Sequence, residues 1–407
     1  MTASAAMSDE HAARRTAIVL ATSQAIVGSA APISMSVGGL AGYYLLDADK
    51  SLATAPVTAF TLGVALAAIP AAAVVKRIGQ RAGFIFGCGV TALAGIVSTL
   101  ALFQSSFWLF TFGLLLVGAG GAFVQQFRFA AADNVPPAFK ARAISFVMAG
   151  GVLTAILGPQ IVIFTREALA PVMFAGSFAS IVALAALGAL ILSFLPRVTA
   201  ASGRSAAADL PARPLGEIVR QPLFAVGLLC AVGSYALMSL VMTGAPLAMV
   251  GCGFSPDQAT LGISWHVMAM FAPSFFTGRL IARFGRERIV AFGLVLLVGC
   301  AMVALSGIAL WQFWSALILL GLGWNFGFIG ATAMVADTYR LSEKGKVQGL
   351  HDFILFGFVA LASLMSGQIY NAWGWDALNW IVFPVVALCL ASLAALYLVV
   401  RRQPVAS

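Results

Sequence analysis

Between Arg288 and Asp337 no side chain carries a charge, and the same holds between Arg81 and Arg128. Runs of this kind fix the solvent a chain folds in. With 61% of its 407 residues apolar and only 9% charged, the chain could not hide that surface inside a water-soluble core. A stretch of about 20 apolar residues crosses a bilayer as a helix with every backbone hydrogen bond made internally. Such windows fall at roughly 16–45, 52–75, 82–103, 107–131, 143–165, 171–195, 221–247, 259–281, 289–309, 313–335, 349–370 and 377–399. The expectation is an all-α membrane protein with twelve transmembrane helices. The unbroken runs exclude the short alternating segments of a membrane barrel.

The chain also repeats itself. Arg77-Ile78-Gly79-Gln80-Arg81 follows the second apolar segment, and about 206 residues later Arg283-Phe284-Gly285-Arg286 follows the eighth. Asp133 and Asp337 recur at nearly that offset, as do Gly158-Pro159-Gln160 and Ser366-Gly367-Gln368. Duplicated halves of this kind build transporters. The expected organisation is a cytoplasmic tail over 1–15, a six-helix bundle over 16–196, a cytoplasmic linker over 197–220, a pseudo-symmetric six-helix bundle over 221–400 and a tail over 401–407. The linker is rich in Ala, Ser, Pro and Arg, as suits a connection between halves.

The cations set the orientation. With the N-terminus in the cytoplasm, only Lys50 and Arg166 lie outside, while Arg14, Arg15, Lys76, Lys140, Arg142, Arg197, Arg401 and the two basic turns lie inside. We expect a multi-pass protein of the inner (plasma) membrane with both termini cytoplasmic. Its net charge of +9 then follows from topology, so the partners are membrane lipid head groups and not nucleic acid. The first fifteen residues show no cleavable signal pattern, and the first helix is expected to serve as its own insertion signal. Trp311, Trp314, Trp373, Trp375 and Trp380 cluster near outer helix ends, where indoles anchor a boundary. Cys88, Cys230, Cys300 and Cys389 fall inside apolar segments without metal-ligand spacing and read as small core residues. No glycine-rich phosphate loop appears, so no cofactor is expected and any energy comes from a gradient.

These features together resemble the major facilitator superfamily over essentially the whole chain. Its signature in the two basic turns is G-x-x-x-D-R-x-G-R-R. The first copy here keeps Arg77, Gly79 and Arg81 but has Ala72 and Lys76, and the second keeps Gly278, Arg283, Gly285 and Arg286 but has Ala282. The drug-antiporter branch of that family carries an Arg high in helix 4 and G-P-x-x-G-G in helix 5. Leu114 and Gly158-Pro159-Gln160-Ile161-Val162-Ile163 stand there instead, which gives that branch no support. The family places helices 1, 4, 7 and 10 around a central cavity. Its basic turns imply a cytoplasmic gate of Arg77, Arg81, Asp133, Arg283, Arg286 and Asp337, in which arginines reach acids at the inner ends of helices 4 and 10.

Polar residues inside a bilayer are costly, and each is a functional candidate. Gly121, Gln125, Arg128 and Ala132 are spaced to share one helical face, and the matching stretch of helix 10 carries Asn325 beside Trp324. Helix 1 offers Gln24, with Pro32 able to bend it, and helix 7 offers Tyr235 with Met238 and Met242. The substrate-binding candidates are therefore Gln24, Gln125, Arg128, Tyr235, Trp324 and Asn325. For each, the alternative is a contact between helices. No Asp or Glu lies near the middle of a helix, so a coupling proton would need His266, Asp352 or the gate acids. Facilitated diffusion or exchange fits that absence.

The function expected is secondary active or facilitative transport of a small organic solute by alternating access. Sparse charge among aromatic groups favours a planar, neutral or mildly anionic compound, vitamin-like such as riboflavin, or an amphipathic drug. The alternatives are proton-coupled multidrug efflux and, in another class, a non-transporting sensor or scaffold. An enzyme is not expected, because the three histidines do not converge with other catalytic groups. The expected partners are the solute, membrane lipids and, where coupling exists, protons, with the protein as a monomer.

Overall fold

The computed structural model describes residues 3–132, 137–196, 213–340 and 343–402. In the first half α1 (Ala3–Val27) and α2 (Ala30–Leu45) make one bent crossing. Then come α3 (Ala55–Ile78), α4 (Gln80–Phe103), α5 (Phe107–Val124) with the short α6 (Phe127–Ala132), α7 (Pro137–Thr165) and α8 (Ala175–Leu192). In the second half a short α9 (Leu215–Val219) precedes α10 (Pro222–Gly251), the bent pair α11 (Pro256–Phe271) and α12 (Ser274–Phe284), α13 (Arg286–Leu305), α14 (Leu310–Ala336), α15 (Lys344–Trp380) and α16 (Val382–Arg402). Gly374 breaks α15 with φ 78°, so the crossing that begins at Lys344 ends there, and Trp375 opens the next. Among the described residues nine runs are long and apolar enough to span a bilayer by themselves. The longest, Lys346–Leu398, is two crossings joined at Gly374, and the bent pair α11–α12 and the shorter apolar Ala149–Thr165 supply the remaining crossings. The result is the expected all-α arrangement.

The duplicated turns share one backbone geometry. Gly79 has φ 85° and ψ 159°, and Gly285 has φ 88° and ψ 155°. A side chain at that positive φ would be strained, which explains why glycine stands in both copies.

Lipid tails are as apolar as leucine, so close packing must hold the helices together in place of a hydrophobic drive. Gly63 of α3 and Gly118 of α5 let their backbones meet. A Cβ built on Gly118 would fall 1.9 Å from the Phe60 carbonyl oxygen, and one on Gly63 2.0 Å from that of Leu115. Cys88, Cys230, Cys300 and Cys389 are buried and Cys252 is exposed. Of the proposed anchors, Trp311, Trp373 and Trp380 are exposed. The indole of Trp314 donates instead to the Gln258 carbonyl (3.1 Å), and that of Trp375 to Ala304 (3.3 Å).

The halves meet where α7 packs on α11, α3 on α15, and α2 on α10 and α11. The polar contacts across this seam gather at the end of the bundle away from the basic turns. Arg166 Nε lies 3.0 Å from Asp257 Oδ1, and Ser264 Oγ donates to the Ala155 carbonyl at 2.6 Å. Thr54 Oγ1 accepts from the Gly367 amide at 3.2 Å and donates to the Leu364 carbonyl at 3.4 Å. Nearer the basic turns several described positions of α3, α12 and α15 are exposed. A Cβ on Gly278, Gly349 or Gly357 would meet nothing within 4 Å, and Leu66, Ile69 and Phe353 are exposed.

Candidate functional site

Four aromatic rings from three helices of the second half converge. Tyr235 of α10 lies edge-on to Trp324 (centroids 5.3 Å apart), to Phe328 (5.1 Å) and, further off, to Phe356 of α15 (6.0 Å). Trp324 and Phe328, one turn apart on α14, stack with an interplanar angle of 17° and centroids 5.2 Å apart. Tyr235, Phe328 and Phe356 are partly exposed, whereas Trp324 is 8% exposed. The Trp324 indole N–H is buried without a hydrogen-bond partner. An orphaned buried donor costs about 1–3 kcal/mol, so its presence calls for a reason. The sequence pointed to Tyr235 and Trp324. It also held a signal for Phe328, four residues beyond Trp324, that the polar-residue search passed over.

Asn325 makes the contact between helices that stood as the alternative to solute binding. It is fully buried, and its side chain is consumed by the bend between α11 and α12. Its amide donates to the Met270 carbonyl (2.6 Å) and to Ser274 Oγ (2.8 Å), while its oxygen accepts from Thr277 Oγ1 (2.6 Å). Pro273 lacks an N–H and the two helices meet at 43°, which frees backbone carbonyls there. Asn325 satisfies one of them and pins the kink. Every one of these bonds is to the neighbouring helix pair.

Gln125 departs from expectation. The helix of the fourth crossing is interrupted at Gln125–Gln126, with the Gln126 amide bonded to Phe123, before α6 begins. The single continuous face inferred from spacing therefore does not extend through Gln125 to Arg128. Gln125 itself is exposed. The Arg128 side chain and Asp133 lie outside the described residues. Gln24 is half-buried on α1, where its carbonyl accepts from Thr154 Oγ1 of α7 at 2.9 Å.

His266 is fully buried, and its Nδ1–H donates to the Leu317 carbonyl at 2.8 Å. That contact ties α11 to α14. Asp352 is exposed, lies two turns into α15 and sits 2.9 Å from Nδ1 of the buried His351.

At the basic turns Arg286 pairs with Asp337. Both belong to the second half, at the start of α13 and the end of α14. The pair braces neighbouring helices and does not bridge the seam. Arg283 lies over the Phe284 ring, 5.2 Å from its centroid. Among the described residues no carboxylate pairs with Arg77 or Arg81.

A polar cluster that the sequence reading did not find fixes the linker. Arg213 grips Glu343 through Nε (2.9 Å), Nη2 (2.8 Å) and its own amide (2.8 Å), and the Arg340 amide adds a fourth donor at 2.9 Å. Arg213 Nη2 and Gln221 Nε2 also cap the Thr338 carbonyl. Glu343 is 1% exposed, and the guanidinium and amide donors hold its carboxyl far below the ordinary 4.5, against the opposing effect of burial. Ile218 of α9 buries beside Phe224, Val335 and Val347.

The Major Facilitator Superfamily model matches residues 16–272 and 227–407. The chain belongs to the major facilitator superfamily. Within it, the chain is 50% identical over 387 residues, 95% of its length and 97% of the relative's, to the riboflavin transporter RfnT of Brucella anthropi. It is 30% identical to the uncharacterized MFS-type transporter YddS of Bacillus subtilis, covering 88% of this chain and 85% of that one. The crystal structure of the POT family transporter PepTSo superposes with a TM-score of 0.72, covering 97% of this chain and 99% of the other at 11% identity. That likeness speaks for the fold alone. As a superfamily member the chain is a multi-pass membrane transporter that moves a small solute by alternating access, and it is not an enzyme.

Proposed function

We propose that the chain transports riboflavin across a bacterial inner membrane, with both termini in the cytoplasm and the present conformation open to the cytoplasmic side. The observation that carries this reading is 50% identity to a riboflavin transporter along nearly the whole of both chains. The cluster of Tyr235, Trp324, Phe328 and Phe356 supports it physically. A flavin presents a flat heteroaromatic ring, and each ring pair it formed there would add about 0.5–1.5 kcal/mol beyond area burial. The near absence of cations from the outer ends supports the orientation.

Transport then proceeds by rocking of the two halves about the seam. Contacts such as Arg166 with Asp257 hold the outer end shut while solute exchanges with the cytoplasm. Arg286 braces the second half against Asp337 at the cytoplasmic end, and Arg77 and Arg81 stay candidates for the matching role in the first. His266 is sealed between helices and Asp352 is solvated beside His351, so the reading assigns neither a proton and takes transport to be facilitative or exchange-driven. Gln24, Gln125 and Arg128 stay candidates for the polar ribityl chain.

Equilibrium binding tests the proposal. Riboflavin fluorescence should be quenched on addition of the purified protein and recover with excess unlabelled lumichrome. A panel in which amphipathic drugs bind and riboflavin does not would replace the proposal with the multidrug alternative.

A further inference from the structure

The Trp324 N–H is unusual for its surroundings. The side-chain oxygen of its neighbour Asn325 is engaged by Thr277 Oγ1, and the Asn325 amide is held by Met270 and Ser274 at the kink, so it does not turn to the indole. The hydroxyl of Ser234 is buried against Gly327 in the contact between α10 and α14 and is itself without a partner, so it does not take up the indole N–H either. The rings beside Trp324 turn edges and faces to the indole, and the Tyr235 hydroxyl, the one polar atom among them, does not accept from its N–H. The indole is thus 92% withdrawn from solvent, carries one donor, and has that donor unmet, while the other three rings of the cluster remain partly exposed. A donor held dry in this way is preorganised to meet an acceptor brought in by something else.

Resting on the riboflavin reading above, we infer that Trp324 is the specificity-determining residue of the site. Its N–H donates to a carbonyl oxygen or ring nitrogen on the edge of a planar heteroaromatic ring, whose face lies against Tyr235, Phe328 and Phe356. The substrate class follows. The site selects the ring system by its acceptor edge, and the flexible tail contributes little discrimination. Flat hydrocarbons without acceptors are rejected, because they would cover the N–H and leave it unmet. Tyr235 and Phe356, as partly exposed rings, turn aside to admit the ligand.

Titration calorimetry of the purified full-length protein separates these statements. The probes are riboflavin, lumichrome, which keeps the ring but lacks the ribityl chain, and an acceptor-free tricyclic hydrocarbon of the same size. Trp324→Phe keeps an aromatic ring and removes the N–H. The expected result is about tenfold weaker binding of riboflavin and lumichrome alike, with thermal stability unchanged or raised, since an unmet buried donor has gone. A purely structural Trp324 would instead lower stability and leave the affinity of the folded fraction as it was. The wild-type protein should bind lumichrome and not the hydrocarbon, an arm that stands even if the variant fails to fold. Equal riboflavin binding by wild type and Trp324→Phe, or wild-type binding of the hydrocarbon as tight as lumichrome, overturns the inference and leaves the riboflavin reading intact. Absence of riboflavin binding to wild type overturns both.

Discussion

Arg166 at the end of α7 and Asp257 at the start of α11 lie 3.0 Å apart, and they join the two halves at the end of the bundle where few other charges stand. Arg166 also reaches Glu167 at 3.0 Å, so one guanidinium ties two carboxylates. Beneath this pair the seam is held by Ser264 with Ala155 and Thr54 with Gly367.

The pair is partly buried but lies at the surface end of the bundle, where such a contact contributes on the order of 1 kcal/mol. Asp257→Asn should therefore shift the population modestly toward the form open at that end. Thr54 is fully buried at the seam, and a Thr54→Cys reporter should react about two- to fivefold faster with an impermeant maleimide when Asp257→Asn is added. High salt should produce part of the same acceleration without the substitution. Unchanged labelling would remove the pair from the closure.

The Arg213 and Glu343 contact predicts a pH dependence with a definite sign. The folded-state pKa of Glu343 lies below its ordinary 4.5, so the stabilisation is fully present above that value and fades as pH falls below it. Thermal unfolding should be flat from pH 6 to 8 as far as this pair is concerned. Glu343→Gln should lower the melting temperature at neutral pH, and the gap to wild type should narrow on acidification below 4.5. A gap that stayed constant into acid would show that the carboxylate charge is not what matters.

Asn325→Ala strands the Met270 carbonyl and takes the donor away from Ser274 Oγ, while Thr277 Oγ1 keeps its bond to the Pro273 carbonyl. The cost should be about 2–4 kcal/mol, read as a lower unfolding midpoint of the detergent-solubilised protein. Riboflavin affinity of the fraction that stays folded should hardly move. A large affinity loss without destabilisation would return Asn325 to the solute pathway.

Asp337→Asn should loosen the ends of α13 and α14 while leaving labelling at Thr54→Cys unchanged, because Arg286 and Asp337 share one half. Faster labelling in that background would make the pair a gate between halves.

Hydrophobic run length, the two basic turns and the glycine in each were legible in the sequence, because bilayer thickness and a positive φ admit few alternatives. Tyr235 and Trp324 could be singled out in the sequence as large amphipathic groups within apolar segments, and the structure places their rings in contact. The bonds of Asn325 to the α11–α12 bend were not legible, because a polar residue in a bilayer has the same signature whether it meets a solute or a kinked neighbour. The face drawn through Gln125 and Arg128 assumed a continuous helix, and nothing in Gln125-Gln126 announces the interruption. Arg166 with Asp257 and Arg213 with Glu343 join residues about 90 and 130 positions apart, and their pairing depends on tertiary placement that no local pattern encodes.

Counterflow in proteoliposomes tests the proposed function most directly. Vesicles holding purified protein and loaded with unlabelled riboflavin should transiently accumulate trace labelled riboflavin from outside, with no imposed proton gradient, and lumichrome should compete. Accumulation equal to that of protein-free vesicles, or accumulation that appears only when a proton gradient is imposed, would contradict facilitative riboflavin transport by this chain.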